Sequence, residues 1–159
     1  MESILKLLEN DCRLTAKQIG TMLGVPEDAV TEQIKSYEKA HVILGYRAVV
    51  DWERAEEDVV TALIEVRVTP QRGEGFERVA ERIYQYDEVE SLYLMSGGYD
   101  LSVTIKGKTM KEVALFVARK LAPIEGVSGT ATHFILKKYK ENGVMYKVQE
   151  DKQERAYIL

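Results

Sequence analysis

Few residues of this chain have the chemistry that catalysis or metal binding requires. Cys12 is the only cysteine among 159 residues, and His41 and His133 are the only histidines. A single cysteine excludes an internal disulfide and a cysteine-built zinc site, and two histidines without an accompanying acid–base cluster supply neither a conventional triad nor a metal site. We therefore expect a protein that is not an enzyme and that has no catalytic residues, no bound metal and no cofactor.

Composition indicates a cytoplasmic protein. Hydrophobic residues make up 45% and charged residues 30% of the sequence, which is typical of globular proteins. No apolar run approaches the roughly 18 residues of a membrane span, and the first residues lack the charged-then-apolar order of a signal peptide. The formal net charge of −4 argues against a strongly basic nucleic-acid coat but leaves room for a local basic patch. No membrane partner is expected.

The N-terminal part of the chain contains the signals of three short helices. Apolar residues recur at helical spacing over Ile4–Glu9. Thr15 and Gln18 have the spacing of a capping box that starts a second helix, and Gly24 fits the left-handed position that ends it. Pro26 stands at the start of the third helix, where its missing N–H costs nothing. The short break between the last two helices is what a helix-turn-helix requires.

A change of composition marks the end of this first domain. Residues 42–50 form a β-rich segment in which Gly45 could mark the turn of a small wing. Residues 51–58 then contain five acids among eight positions, a charge density typical of a solvated linker. We therefore predict an N-terminal domain over residues 1–50 and a linker over residues 51–59.

The second half of the chain is organised around a predicted β-hairpin. Apolar and polar residues alternate beside Gly97 and Gly98, and adjacent glycines supply the positive φ that a tight hairpin needs. Further strands are predicted over residues 60–69 and 130–139, and amphipathic helices over residues 76–86 and 109–123. This order predicts an α+β protein whose second domain, over residues 60–140, is a ferredoxin-like βαββαβ unit. Residues 141–159 form a tail.

One face of the predicted sheet has two helices, whereas the other face has no cover within the chain. Exposed apolar area of that size usually marks an interface. We therefore expect homodimers that pair through this face of the sheet.

The N-terminal pattern and the domain order together resemble the Lrp/AsnC, or feast/famine, family of transcriptional regulators. The resemblance covers roughly residues 1–140 and is carried by Ile4, Leu5, Leu8, Arg13, Leu14, Thr15, Gln18, Ile19, Leu23, Gly24, Val30, Ile34, Lys35, Glu38, Val42, Ile43, Gly45 and Tyr46. It implies a winged helix-turn-helix that binds double-stranded DNA and a second domain that binds an amino acid or related metabolite. It also implies dimers with facing sheets, which in this family commonly assemble into octamers.

The resemblance implies an effector pocket at the dimer interface. Its positions here are Gly97, Gly98, Tyr99, Asp100, Thr130 and Thr132. Free N–H groups at the glycines can hold a carboxylate, the aspartate can pair with an ammonium, and the threonine hydroxyls can orient a side chain. The alternative is a plain hairpin in which the threonines are ordinary strand formers and Asp100 pairs with a basic residue such as Lys106.

The predicted recognition helix has an unusual charge for a DNA-binding element. The residues expected to contact DNA are Lys17, Thr31, Gln33, Lys35, Lys39 and Arg47. Residues 27–39, however, contain four acids and two lysines, and carboxylates repel phosphates. Glu27 or Glu32 could instead accept a hydrogen bond from cytosine N4. The family usually has Arg where Gln33 stands and Gly where His41 stands.

Three hypotheses for function follow. The first is a DNA-binding transcriptional regulator that responds to an amino acid or related small metabolite bound at the dimer interface. The alternative is a metabolite-binding oligomeric module that has lost sequence-specific DNA binding. A third, an enzyme similar to relatives that decarboxylate modified tetrapyrroles, is disfavoured because the chain lacks an acid–base cluster.

Overall fold

The computed structural model describes residues 3–69 and 75–146. Its contacts divide the chain into an N-terminal unit, residues 1–50, and a C-terminal unit, residues 51–159. The N-terminal unit contains α1 (Ile4–Asn10), α2 (Ala16–Leu23) and α3 (Glu27–Lys39). Its small core consists of Leu7, Leu8, Ile19 and Val30, which are the inward positions of the three helices. No helix among the described residues is long and apolar enough to cross a membrane.

The predicted helix-turn-helix is confirmed together with the local signals that form it. Thr15 Oγ1 accepts from the Gln18 N–H at 3.2 Å, and Gln18 Oε1 accepts from the Thr15 N–H at 2.8 Å. Gly24 ends α2 in the left-handed conformation, with φ of 69°. A Cβ at the buried Gly20 would lie only 2.7 Å from the Val25 carbonyl oxygen, so the turn can approach α2 closely only because this residue is glycine.

The segment that follows α3, residues 42–50, is here called the extended segment. Among the described residues it contains no strand and no turn at Gly45. Its start is held where the N–H groups of Val42 and Ile43 donate to the Tyr37 carbonyl oxygen at 2.9 and 3.2 Å. His41 has φ of 53°, which histidine tolerates better than most residues. α3 therefore ends without a glycine at this position.

The C-terminal unit has the predicted ferredoxin-like order. Its elements are β1 (Val60–Val68), α4 (Glu77–Ile83), β2 (Val89–Leu94), β3 (Leu101–Gly107), α5 (Met110–Phe116), β4 (Val127–Phe134), β5 (Lys140–Glu141) and β6 (Val144–Met145). The first four strands form an antiparallel sheet in the order β2-β3-β1-β4. The two central strands, β1 and β3, are therefore the ones that the chain buries most completely.

The core of this unit lies between one sheet face and the two helices. In the β1–β3 register, Ile64 is opposite Val103 and Val66 is opposite Leu101. All four side chains are buried against helix residues such as Ile83. The alternation seen in the sequence thus identifies the correct face, because successive strand residues point to opposite sides of a sheet.

Three predicted boundaries differ from the structure. The hairpin connection spans Met95–Asp100 and is wider than the tight glycine turn that was expected. The last strand of the sheet is Val127–Phe134, earlier than the predicted 130–139. The second helix is α-helical only to Phe116 and continues as a π-helical turn over Val117–Leu121. Apolar periodicity does not specify ends, because caps and turn geometry decide them.

The sheet face opposite the helices, here called the open face, is polar. By register it carries Thr61, Leu63, Glu65, Arg67, Ser102, Thr104, Tyr93, Ala131 and His133. Glu65 Oε1 and His133 Nε2 lie 3.3 Å apart on this face. The strand positions of the open face are thus occupied mainly by hydroxyl and charged residues and not by the apolar area that was expected, and pairing of two copies through this face stays a prediction.

A short hairpin formed by β5 and β6 follows the sheet. Glu141 accepts from Lys138 Nζ at 2.8 Å and from the Tyr146 hydroxyl at 2.7 Å. The ion pair with Lys138, and then the hydroxyl, lower the pKa of Glu141, and the hydrogen bond to the carboxylate raises the pKa of Tyr146 to about 12. The rest of the predicted tail, residues 147–159, lies outside the described residues.

Replacement of Ile64 by alanine should destabilise the C-terminal unit by about 2–5 kcal/mol, because Ile64 is fully buried between β3, β4 and the helices. Urea unfolding followed by the fluorescence of Trp52, the only tryptophan, measures this. Leu115→Ala, at a more exposed position, is the control and should cost less than about 1 kcal/mol. Equal losses for both variants would contradict the described core.

The Tyr146–Glu141 hydrogen bond should make stability fall at high pH. Because the folded-state pKa of Tyr146 is about 12, above its usual 10, the bond stabilises the fold below pH 10 and is lost as pH rises through 12. The wild type should therefore lose stability relative to Tyr146→Phe across that range in the same urea assay. Tyr139→Phe, which alters an exposed tyrosine, should not change the profile.

Candidate functional site

The surface of α3 opposite the core is the first candidate site. Val30 is buried and Ile34 and Tyr37 are half-buried, so they define the inward face of the helix. The opposite side, here called the outer stripe, consists of Asp28, Glu32, Lys35 and Lys39, all exposed. Their spacing of three or four residues places them in one row along the helix.

The outer stripe contains an ion pair. Lys35 Nζ lies 2.9 Å from Glu32 Oε1, with both side chains largely exposed. This hydrogen bond and the charge of Glu32 raise the pKa of Lys35. With Asp28 and Lys39 included, the stripe has two acids and two lysines and is formally neutral. It therefore lacks the positive charge that draws most recognition helices to phosphates.

A second contact ties the extended segment to α3. The Tyr46 hydroxyl donates to Glu38 Oε1 at 2.9 Å. Partial burial, followed by this hydrogen bond, raises the pKa of Tyr46. Sequence periodicity did not indicate this contact, because Tyr46 lies beyond the end of the helix and reaches back eight residues. One oxygen of the Glu38 carboxylate therefore already accepts a hydrogen bond within the N-terminal unit.

The residues predicted to contact DNA occupy different surroundings. Lys35 and Lys39 lie on the outer stripe, and Gln33 is exposed beside it. The Thr31 hydroxyl donates to the Glu27 carbonyl oxygen of its own helix at 3.0 Å. Two further predicted residues, Lys17 on α2 and Arg47 in the extended segment, are exposed elsewhere in the N-terminal unit. The structure therefore gathers only part of the predicted set along α3.

The connection Met95–Asp100, here called the glycine loop, is the second candidate site. The Met95 N–H donates to the Asp100 carbonyl oxygen at 2.8 Å and closes the loop. Gly97 and Gly98 are exposed, and a Cβ built on either would meet no atom within 4 Å. In the described part of the chain, no backbone acceptor takes a hydrogen bond from the N–H of either glycine. The loop thus presents free donors to solvent.

Asp100 is held in place by the end of β1. Its Oδ2 accepts from the Val68 N–H at 2.7 Å, and its own N–H donates to the Val66 carbonyl oxygen at 3.1 Å. The β1–β3 pairing ends at Val66, so the carboxylate satisfies a donor just beyond the ladder. The alternative in which Asp100 pairs with Lys106 is wrong, since Lys106 forms an ion pair with Glu90.

Thr130 and Thr132 lie on the edge strand β4, opposite Val66 and Ile64 of β1. That register places the two threonines on the sheet face that carries the helices. β1 lies between β4 and β3, where the glycine loop ends. Within one chain, the sheet therefore does not bring the threonines next to the glycine loop.

The described residues form no cluster suited to bind a metal ion. Among residues 3–69 and 75–146, no group of three His, Cys, Asp or Glu side chains is arranged to hold an ion. Cys12 is half-buried, and its Sγ lies 3.8 Å from the Arg47 carbonyl oxygen.

Comparison with known families gives matches to both units. Residues 61–145 match the Lrp/AsnC ligand-binding domain, and residues 2–43 match a winged helix-turn-helix DNA-binding domain. YugG of Bacillus subtilis, named as an uncharacterized HTH-type transcriptional regulator, is 48% identical over 149 residues, covering 93% of this chain and 90% of YugG. FL11 of Pyrococcus furiosus, an HTH-type transcriptional regulator, is 30% identical over 140 residues, covering 88% and 89% of the two chains.

Solved structures share the fold. The transcriptional regulator NMB0573 of Neisseria meningitidis, solved as a complex with L-methionine, aligns with a TM-score of 0.71. The alignment covers 87% of this chain and 88% of NMB0573 at 23% identity. At that identity the similarity establishes the arrangement of helices and strands.

The bond from Val68 to Asp100 gives a prediction about the loop. Asp100→Ala should lower the free energy of unfolding of the C-terminal unit by about 1.5–3 kcal/mol, because it removes a hydrogen bond to a charged acceptor. Asp100→Asn should retain most of the stability, since its amide oxygen still accepts. Urea unfolding followed by Trp52 fluorescence tests both variants. Asp87→Ala, at an exposed aspartate, is the control, and an Asp100→Ala loss no larger than that of Asp87→Ala would refute the structural role.

Proposed function

Because the chain belongs to the Lrp/AsnC family of DNA-binding transcriptional regulators, we propose that it senses an amino acid or a related small metabolite and changes its DNA binding in response. The family is one of regulators and not of enzymes, and the C-terminal unit matches the Lrp/AsnC ligand-binding domain. The observation that carries the proposal is the glycine loop, which combines exposed N–H donors with a fixed carboxylate in that domain.

The chemistry of the glycine loop supports an amino acid effector. The free N–H groups of Gly97 and Gly98 form an anion site for a carboxylate. One oxygen of Asp100 is engaged by Val68, and the other accepts no hydrogen bond from the described residues, so it is available for an ammonium. Tyr99 lies between Gly98 and Asp100 in sequence and is half-buried, and we include it in the proposed site. A relative of this fold has been solved with L-methionine, which supports the same ligand class here.

The position of β1 supports an effector site between two copies. The glycine loop follows β2 on one side of the sheet, whereas Thr130 and Thr132 lie on the opposite edge. If both sets contact one ligand, then the loop of one copy and the threonines of another must meet. The effector would therefore stabilise one arrangement of copies over others, which is the linkage that couples ligand binding to the spacing of paired recognition helices.

The extended segment supports assembly into homodimers. No N–H of residues 44–50 donates a backbone hydrogen bond to a described residue, and Leu44 is 86% exposed. Val42, Leu44 and Tyr46 alternate with other residues as in a strand. A second copy can pair with such a segment and can also cover the open face of the sheet. Further assembly of dimers into octamers is part of this proposal.

Weak contacts from many helices would give such an assembly its DNA affinity. We assign the contacts to Lys17, Thr31, Gln33, Lys35, Lys39 and Arg47. Each copy brings a nearly neutral outer stripe, so only the sum over several copies gives strong binding. The alternative of a metabolite-binding module without sequence-specific DNA binding is favoured by this neutral stripe, but the matches to DNA-binding regulators count against it.

The effector part of the proposal is tested by electrophoretic mobility shift of the chain on its own promoter fragment, with each amino acid, including L-methionine, added in turn. At least one amino acid should change the apparent affinity. Thr132→Val keeps the shape of a strand residue and removes the hydroxyl, so it should weaken the response to that amino acid several-fold without changing DNA binding in its absence.

Thr21→Val is the matched control, because among the described residues its hydroxyl bonds only to the Lys17 carbonyl oxygen in α2 of the other unit. Specific DNA binding that no amino acid alters would refute the sensing proposal. An unchanged response in Thr132→Val would remove this residue from the site and leave the sensing function standing.

A further inference from the structure

The centre of the outer stripe is Glu32. It lies two residues from both Val30 and Ile34, and at about 100° per residue this places it opposite the inward face of α3. A recognition helix in the major groove turns that side towards the bases. Among the acids of α3, Glu32 is therefore the one aimed most directly away from the core of the N-terminal unit.

Glu32 and Lys35 together present an acceptor beside a donor. The carboxylate oxygen and the ammonium nitrogen are 2.9 Å apart. In the major groove, a C·G base pair presents the cytosine N4 amino group as donor, next to guanine O6 and N7 as acceptors. Glutamate commonly accepts from cytosine N4, and lysine commonly donates to guanine O6 and N7. The pair therefore matches the edge of one base pair.

We propose that the Glu32–Lys35 pair of α3 reads a single C·G base pair in the DNA site. This inference rests on the DNA-binding function of the family and adds the sequence feature that is recognised. It converts the acidic character of the helix from an obstacle into a source of specificity.

The other acids of α3 are less suited to this role. Glu38 accepts from the Tyr46 hydroxyl and lies in the last turns of the helix. Glu27 is three residues before Val30, on the side of the helix that turns towards the core. Asp28 lies on the outer stripe but has no cationic partner among the described residues. Its unpaired carboxylate would meet the phosphates without compensation.

Pairing explains how a carboxylate can enter the groove. An isolated negative charge is repelled by the DNA backbone, whereas the Glu32–Lys35 pair is neutral as a unit. A neutral pair releases few counterions, so it contributes little to affinity for arbitrary DNA. Its contribution comes from the base edge and is therefore sequence-dependent.

The test is enrichment of binding sites from a library of randomised DNA duplexes, carried out with the full chain at low and moderate salt. The wild type should enrich sites that contain a required C·G pair, preferred roughly 5- to 150-fold over other pairs at that position. Glu32→Gln should lose this preference and admit adenine, because glutamine pairs with adenine N6 and N7. Replacing the guanine of the enriched site by 7-deazaguanine should weaken wild-type binding.

Asp28→Asn is the matched control, because it removes one negative charge from the same stripe. It should raise affinity for all duplexes and keep the C·G preference. If the two variants change affinity and preference alike, Glu32 acts by charge alone and the inference fails. Enriched sites without a required C·G pair would also overturn it while leaving DNA binding intact. No enrichment of any sequence would overturn both this inference and sequence-specific DNA binding.

Discussion

Hydrogen bonding of β1 on both of its edges is the constraint on which the C-terminal unit depends. β3 pairs with one edge and β4 with the other, so every other element of the sheet is positioned relative to this strand. Its inward residues Ile64 and Val66 are fully buried and anchor the helices on one face. The end of the same strand holds Asp100 through the Val68 N–H. Core packing and the conformation of the glycine loop therefore both depend on β1.

This dependence has a consequence for ligand binding. If Asp100 contacts the effector as proposed, its carboxylate would lose little entropy on binding, because the backbone already fixes it. The same strand that fixes Asp100 separates it from Thr130 and Thr132. The proposed site that uses both sets would therefore be incomplete in one chain, and ligand binding would be linked to assembly through the geometry of the sheet.

The main feature of the N-terminal unit is the exposed face of α3. Its small core leaves the outer face of α3 free for recognition. That face is formally neutral, and its central acid is paired with Lys35. Long-range attraction of such a helix to DNA is small, so the proposed discrimination between bases would depend on a few short contacts. The Tyr46 hydroxyl donates to a further acid of α3, Glu38.

Much of the fold could be predicted because it depends on local rules. The capping box at Thr15, the left-handed Gly24 and the alternation in β1 each depend on residues close in sequence, and all three are confirmed. The polar open face could also have been read from the alternate positions of the same strands, since Glu65 and Arg67 occupy them. The expectation of apolar area on this face was based only on the absence of predicted helices to cover it.

The sequence by itself therefore determined the order of the helices and strands and the buried face of the sheet, because periodicity and caps act over a few residues. Only the tertiary structure decided the partner of Asp100, the separation of the two threonines from the glycine loop, and the pairing of Tyr46 with Glu38. These contacts depend on the order of the strands in the sheet and on how the segment after α3 folds back onto that helix. Such contacts join residues far apart in sequence, so no local pattern encodes them.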